Sequence, residues 1–369
     1  MPYKLVKQVG RVKEYVVPLT KNQEDRAMNL HEKSVIFDLH MHSWILPDNM
    51  NELAEWHRDR RAQETVGYEG IKKGGVTAFI EGLGGLRHSW TYNDVVESIG
   101  FRLCNMDHNY DKVIRGLRAD DVRQAKKEGK FVIFIGVENA EQIGYDVDKI
   151  DVLYGLGVRS MGLSYNRRNP VTDGRTERTD SGLSNLGYEV IARMNDLGMI
   201  IDVAHSGEKT TFDVTEASKD PVIISHTGAR KLYLTKRLAT DEELQAVAEK
   251  GGLVGVHTGP NILSNKKRQG VEDVVNHIDY CVNLIGVDHV SVGSDNYFGD
   301  KVMNLKYEMT FDKGMKSYLD VNALYTEGIE NPSEWPNITR ELVKRGYSDQ
   351  EIQKIIGGNA LRIVEKIVG

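Results

Sequence analysis

The sequence predicts a (β/α)8 TIM barrel, an α/β fold, with a small N-terminal extension. Three observations carry this. Eight short apolar runs rich in Val and Ile recur along the 369 residues, amphipathic helical segments lie between them, and no linker, low-complexity tract or charge block divides the chain. Strands that alternate with helices pair in parallel, and eight such units within about 260 residues fit a closed barrel better than the alternative, an open α/β sheet of as many strands.

The runs are VIFDLHMH (35–42), GVTAFIEGL (75–83), FVIFIGVE (131–138), VRSMGLSY (158–165), MIIDVAH (199–205), PVIISH (221–226), GLVGVHT (252–258) and HVSVGSD (289–295). Helix signals fall between them. In TDEELQAVAEKGG, Thr240 and Glu243 form a capping box, and Gly251 and Gly252 stop the helix. GVEDVVNHIDYCVNLIG repeats the pattern. Residues 1–34 precede the first run and are expected to form a small strand pair packed on the barrel, which occupies 35–369.

Composition narrows the function. With 40% hydrophobic residues the chain can bury a large core, and a net charge of −6 argues against nucleic acid or an anionic membrane as partner. A small-molecule substrate is the better expectation, with homo-oligomer formation left open. Cys104 and Cys281 lack any CxxC partner, so neither a disulfide framework nor a thiolate zinc site is indicated. Charges interrupt the N-terminus, and no apolar stretch reaches about 18 residues, so the expected location is the cytoplasm.

The residues that end the runs are polar. They are His40 and His42, Glu138, Tyr165, His205, His226, His257 and Asp295, and they include five of the 11 histidines. Catalytic groups of a TIM barrel come from these C-terminal strand ends. Side chains alternate along a strand, so His40 and His42 are expected to face the barrel mouth together, with Met41 on the opposite face. A lone histidine ending an apolar run is more often a hydrogen-bonded core residue. Four or five of them joined by two carboxylates are better read as ligands for two divalent ions, zinc being the expected metal. His31, His57, His88, His108, His277 and His289 lack this placement and are assigned structural or surface roles. Glu81, near the end of the second run, is a weaker candidate that could equally cap a loop.

Six segments make the chain resemble the membrane (renal) dipeptidases, metal-dependent peptidases of the amidohydrolase superfamily. They are IFIGVENAEQI, LYGLGVRSMGLSYNRRNP, SGLSNLGYEVIARMNDLGMIIDVAHSG, PVIISHTGAR, HVSVGSDNYFGD and ITRELVKRGYSDQEIQKIIGGNALRIV, in matching order and spacing over roughly residues 35–367. The resemblance implies metal ligands at His40, Glu138, His205 and His226, with Glu138 bridging, and a catalytic aspartate at Asp295. It also implies that Arg237 in LTKRLATDEEL holds a substrate carboxylate.

Four positions depart from the family. His40-Met41-His42 stands where the family has His-x-Asp, a pairing common elsewhere in the superfamily, and makes His42 the fifth ligand. Tyr165 takes the place of a substrate-contacting histidine, and His257 that of an uncharged stretch; both are read as substrate-binding residues, with Tyr165 also a donor to the developing oxyanion. DNYFG replaces Asp-aromatic-Asp-Gly. The expected activity is hydrolysis of an amide in a dipeptide or dipeptide-like substrate by a metal-bridging hydroxide, Asp295 acting as general base and then acid. The alternative is an amidohydrolase of a non-peptide cyclic amide, lactone or N-acyl substrate. A barrel kept only for binding is disfavoured because every ligand position retains a competent side chain.

Overall fold

The computed structural model describes residues 7–59, 66–83, 91–299, 306 and 323–369, without the side chains of 56–59. Each of the eight runs contains one strand: β1 (Phe37–Met41), β2 (Ala78–Leu83), β3 (Phe131–Val137), β4 (Val158–Gly162), β5 (Ile200–Asp202), β6 (Ile223–Thr227), β7 (Leu253–Val256) and β8 (Val290–Val292). They pair in parallel in that order. Beyond the strands proper, Asp295 N–H donates to the His40 carbonyl at 2.7 Å and His42 N–H to that of Asn296 at 2.8 Å, which joins the end of β8 to β1. The barrel is nearly closed.

A buried carboxylate reinforces this seam. Asp38 accepts hydrogen bonds from Ser294 N–H (2.8 Å), Trp335 Nε1–H (2.9 Å) and His40 N–H (3.2 Å), while burial pushes its carboxyl up to about 6. One side chain thus ties the strands that carry His40 and Asp295. The β2–β3 register runs unbroken from Ala78↔Val132 to Leu83↔Val137, and Glu138 N–H then donates to Leu83 at 2.9 Å. Glu138 is thereby set at the mouth.

Helices lie between the strands. The helix Asp241–Glu249 has the predicted cap, with Thr240 Oγ1 accepting from Glu243 N–H and Glu243 accepting from Thr240 N–H, and Gly251 following at φ +78°. The extension is different from expectation. Its described residues form no strand pair but the helix α1 (Lys21–Lys33), which packs on α2 (Pro336–Lys344), with Arg340 on Glu24 at 2.7 Å. The segment KNQEDRAMNLHEK has no β-branched residue and begins with a Thr20–Gln23 capping box, so local preference and cap both favour helix. A short strand at Val113–Arg115, paired with β3, was also not predicted; three residues are too few to register as an apolar run.

Candidate metal centre

The strand-end residues converge. His40 Nε2 and His42 Nε2 lie 3.6 and 3.7 Å from Glu138 Oε1. Met41 sits in the apolar core on the other face, as the alternation requires. His205 Nε2 and His226 Nε2 face each other at 2.9 Å, and the His40 and His226 rings stack at 4.0 Å. Asp295 Oδ1 lies 3.1 Å from His42 Nε2 and 3.9 Å from His40 Nε2.

The second nitrogen of each ring tells what the first can do. His42 Nδ1 faces the Gly82 carbonyl at 3.1 Å, so it carries hydrogen there and turns a lone pair on Nε2 inward in the neutral ring. His205 Nδ1 donates to Asn166 Oδ1 at 2.9 Å. Ser225 Oγ gives its own hydrogen to Asp202 Oδ2 at 2.5 Å, so it accepts from His226 Nδ1–H at 2.8 Å. His205 and His226 therefore point lone pairs at one another with no hydrogen between them. Such an arrangement calls for a cation shared by the two.

Electrostatics agree. Burial, reinforced by neighbouring positive groups such as Arg237, holds His40, His205 and His226 well below the ordinary histidine pKa, so all three are neutral donors. The 3.6 Å approach of His40 to Glu138 is accordingly no ion pair. Burial opposes protonation of His42 too, but the Asp295 hydrogen bond and the Glu138 and Asp295 charges outweigh it and raise its pKa. Burial pushes Glu138 up to about 7.

Two further features fit a metal pair. His40 Nε2 is buried without a hydrogen-bond partner. At Gly82 a Cβ would sit 2.4 Å from His40 Cε1 and 2.5 Å from Glu138 Oε1, so only glycine leaves room between those donors. One donor atom each of His40, His42 and Glu138 lie within 4.8 Å of one another, as do those of His40, Asp202 and His226. Both Asp202 oxygens are already taken, Oδ1 by Ala204 and Ser225 N–H and Oδ2 by Ser225 Oγ, so Asp202 orients His226 through Ser225.

The remaining expected residues fall around this centre. The Tyr165 ring stacks on His205 at 4.2 Å. Arg237 is 3% exposed and its Nη2 lies 3.3 Å from His205 Nε2, so it is no surface loop charge. His257 Nε2 lies 3.1 Å from Asp295 Oδ2. Glu81 turns away, accepting from Ser43 N–H, Ser43 Oγ–H and Arg102, and does not join the ligand atoms. His31 and His277 are satisfied core residues, His108 is exposed and His289 partly buried, whereas the His57 side chain and His88 lie outside the described residues. Asn166, Asp202, Ser225 and Gly82 escaped the sequence reading. The single available signal was Asp202 inside the apolar run MIIDVAH, where a carboxylate needs partners.

The membrane dipeptidase profile (peptidase family M19) matches residues 24–306 and 314–368. The chain belongs to that family. It is 30% identical over 284 residues to the dipeptidase tcpJ of Claviceps purpurea, covering 76% of this chain and 61% of that protein. With the dipeptidase aclJ of Aspergillus oryzae it shares 31% over 240 residues, 64% of this chain and 51% of the other. The chain thus spans between half and two thirds of these relatives' length. An amidohydrolase structure from Pseudomonas aeruginosa superposes with a TM-score of 0.80 at 30% identity, covering 92% of this chain and 98% of that one. The barrel is thus shared with that structure along most of both chains.

Proposed function

We propose that this member of the dipeptidase family is a metal-dependent hydrolase that cleaves the amide bond of a dipeptide or dipeptide-like substrate. The observation that carries the reading is the pair of inward lone pairs on His205 and His226 beside Glu138, His40 and His42. These five residues would hold two divalent ions. Bound there, the ions supply a water acidic enough to ionise near neutral pH and polarise the scissile carbonyl. Zinc is the metal we expect from four imidazoles with one carboxylate.

The chain's own groups do the rest. Asp295, with its side chain 23% exposed at the mouth, takes the proton of the attacking water and delivers it to the leaving nitrogen. Arg237 pairs through its planar guanidinium with the free carboxylate of the substrate. Tyr165, stacked on His205, supplies a hydroxyl donor for the carbonyl oxygen as it gains charge. A second reading, hydrolysis of a cyclic amide, lactone or N-acyl compound, draws on that same tyrosine, since Tyr165 stands where the family uses a histidine on its substrate.

No helix among the described residues is long and apolar enough to cross a membrane. Two unpaired cysteines, Cys104 exposed and Cys281 buried, fit a reducing cytoplasm. A panel of dipeptides, N-acyl amino acids and lactones assayed with added Zn²⁺ tests the function. We expect turnover of free dipeptides above all others; turnover confined to lactones or cyclic amides would replace this reading by the second.

A further inference from the structure

His257 is the imidazole at the mouth that does not fit the ligand pattern. Gly259 N–H donates to its Nδ1 at 2.7 Å, so Nδ1 bears a lone pair and the hydrogen of the neutral ring resides on Nε2. That nitrogen faces Asp295 Oδ2 at 3.1 Å. His42 stands on the other side of the same carboxylate, 3.1 Å from Oδ1, and its neutral ring, with Nδ1–H on the Gly82 carbonyl, is the opposite tautomer. Two rings that look alike in sequence are thus set by the backbone behind them for opposite tasks. As neutral rings, one offers a lone pair inward and the other a hydrogen.

We propose that His257 is a positioning residue that donates Nε2–H to Asp295 Oδ2 and so aims Oδ1 at the reacting water. The inference rests on the hydrolase reading above. Neither of the other roles open to a histidine suits it. A metal ligand needs a lone pair on the inward nitrogen, and here that nitrogen carries hydrogen. A substrate contact needs a free ring nitrogen, and here Nδ1 accepts from Gly259 N–H while Nε2 faces Asp295 Oδ2.

The surroundings are built to hold the pair in register. Thr258, next to His257, donates both its N–H (3.3 Å) and its Oγ1–H (2.9 Å) to the carbonyl of Ser294, next to Asp295. His257 N–H donates to Thr227 at 2.7 Å, fixing β7 against β6. Asp295 itself has φ +52°, a left-handed conformation that a non-glycine residue adopts only when its neighbours enforce it. The strain turns the carboxylate off the strand into the gap between His42 and His257.

The experiment compares His257→Leu with His257→Gln in the full chain reconstituted with Zn²⁺. Glutamine can reach Asp295 with an amide N–H, whereas leucine fills the space without a donor. We expect His257→Leu to lose roughly 10-fold or more in kcat, the size usual for a group that orients another, with KM, metal content and melting temperature near wild type. His257→Gln should recover most of that loss. A rise in KM at unchanged kcat would make His257 a substrate contact, loss of about one metal would make it a ligand, and equal loss in both variants would overturn the donor role. Nitrogen-15 NMR of the imidazoles reads the same claim without turnover: His257 should be protonated on Nε2, and its resonances should move in Asp295→Asn. Protonation on Nδ1, or no response to Asp295→Asn, would refute the proposal even if the substrate class proves to be wrong.

Discussion

The outer helical layer and the barrel mouth both bury histidines, but they use them differently. In the outer layer, His31 spends Nδ1 on the Thr339 hydroxyl at 2.8 Å and Nε2 on the Gly74 carbonyl at 2.9 Å. His277 accepts from Ala229 N–H and donates to the Leu263 carbonyl, each at 3.0 Å. At the mouth, His42, His205 and His226 each spend one nitrogen outward and turn the other toward further donors. Burial lowers the pKa of His31 and His277 to about 4, and lowers His40, His205 and His226 as well. Burial and depressed basicity therefore do not mark a metal site. What marks it is where the second nitrogen points.

The largest break in the comparison should come from Asp295. Asp295→Asn keeps the shape of the mouth and removes its proton acceptor, so kcat should fall by at least ~10²-fold with metal content intact. Kinetics and elemental analysis on one preparation check this, and full activity would end the assignment.

Next is His42→Asp. Replacing neutral imidazole by carboxylate adds one negative charge beside the metals, so the acidic limb of kcat/KM should move to higher pH and turnover with Mn²⁺ should rise relative to Zn²⁺. A histidine that only packs would instead lower stability and leave metal content and pH profile unchanged.

Arg237→Ala should raise KM by roughly 10-fold or more for substrates with a free carboxylate, the worth of a charge-assisted pair, and far less for amidated ones. Equal effects on both classes would remove Arg237 from substrate binding.

The smallest effect belongs to the outer layer. Folded His277 has a pKa near 4 against 6.5 for the free side chain, so between those values the unfolded chain binds more protons and stability falls as pH falls. His277→Gln should flatten the acid side of the stability curve in that window by up to ~1.4 kcal/mol per pH unit. Thermal melts from pH 7 to 4 measure it, and metal content should not change.

Much of this was legible in the sequence. The Val and Ile runs predicted all eight barrel strands because a parallel strand buried on both faces must be apolar throughout. The polar residues that end those runs stood out against that background. The tautomers did not, since they depend on partners remote in the chain: Gly82 for His42 and Asn166 for His205, 40 and 39 residues away. Nor did the positive φ of His205 (62°) and Asp295 (52°), which no glycine announces. The N-terminal helix was misread as part of a strand pair because its Thr20–Gln23 cap went unread.

Metal content tests the central claim most directly. Protein reconstituted with Zn²⁺ and freed of excess ion should carry about two metals per chain by elemental analysis, a His205→Ala, His226→Ala double variant about one, and His277→Gln the wild-type amount. No bound metal in the reconstituted wild type, or equal content in the double variant, would contradict the account.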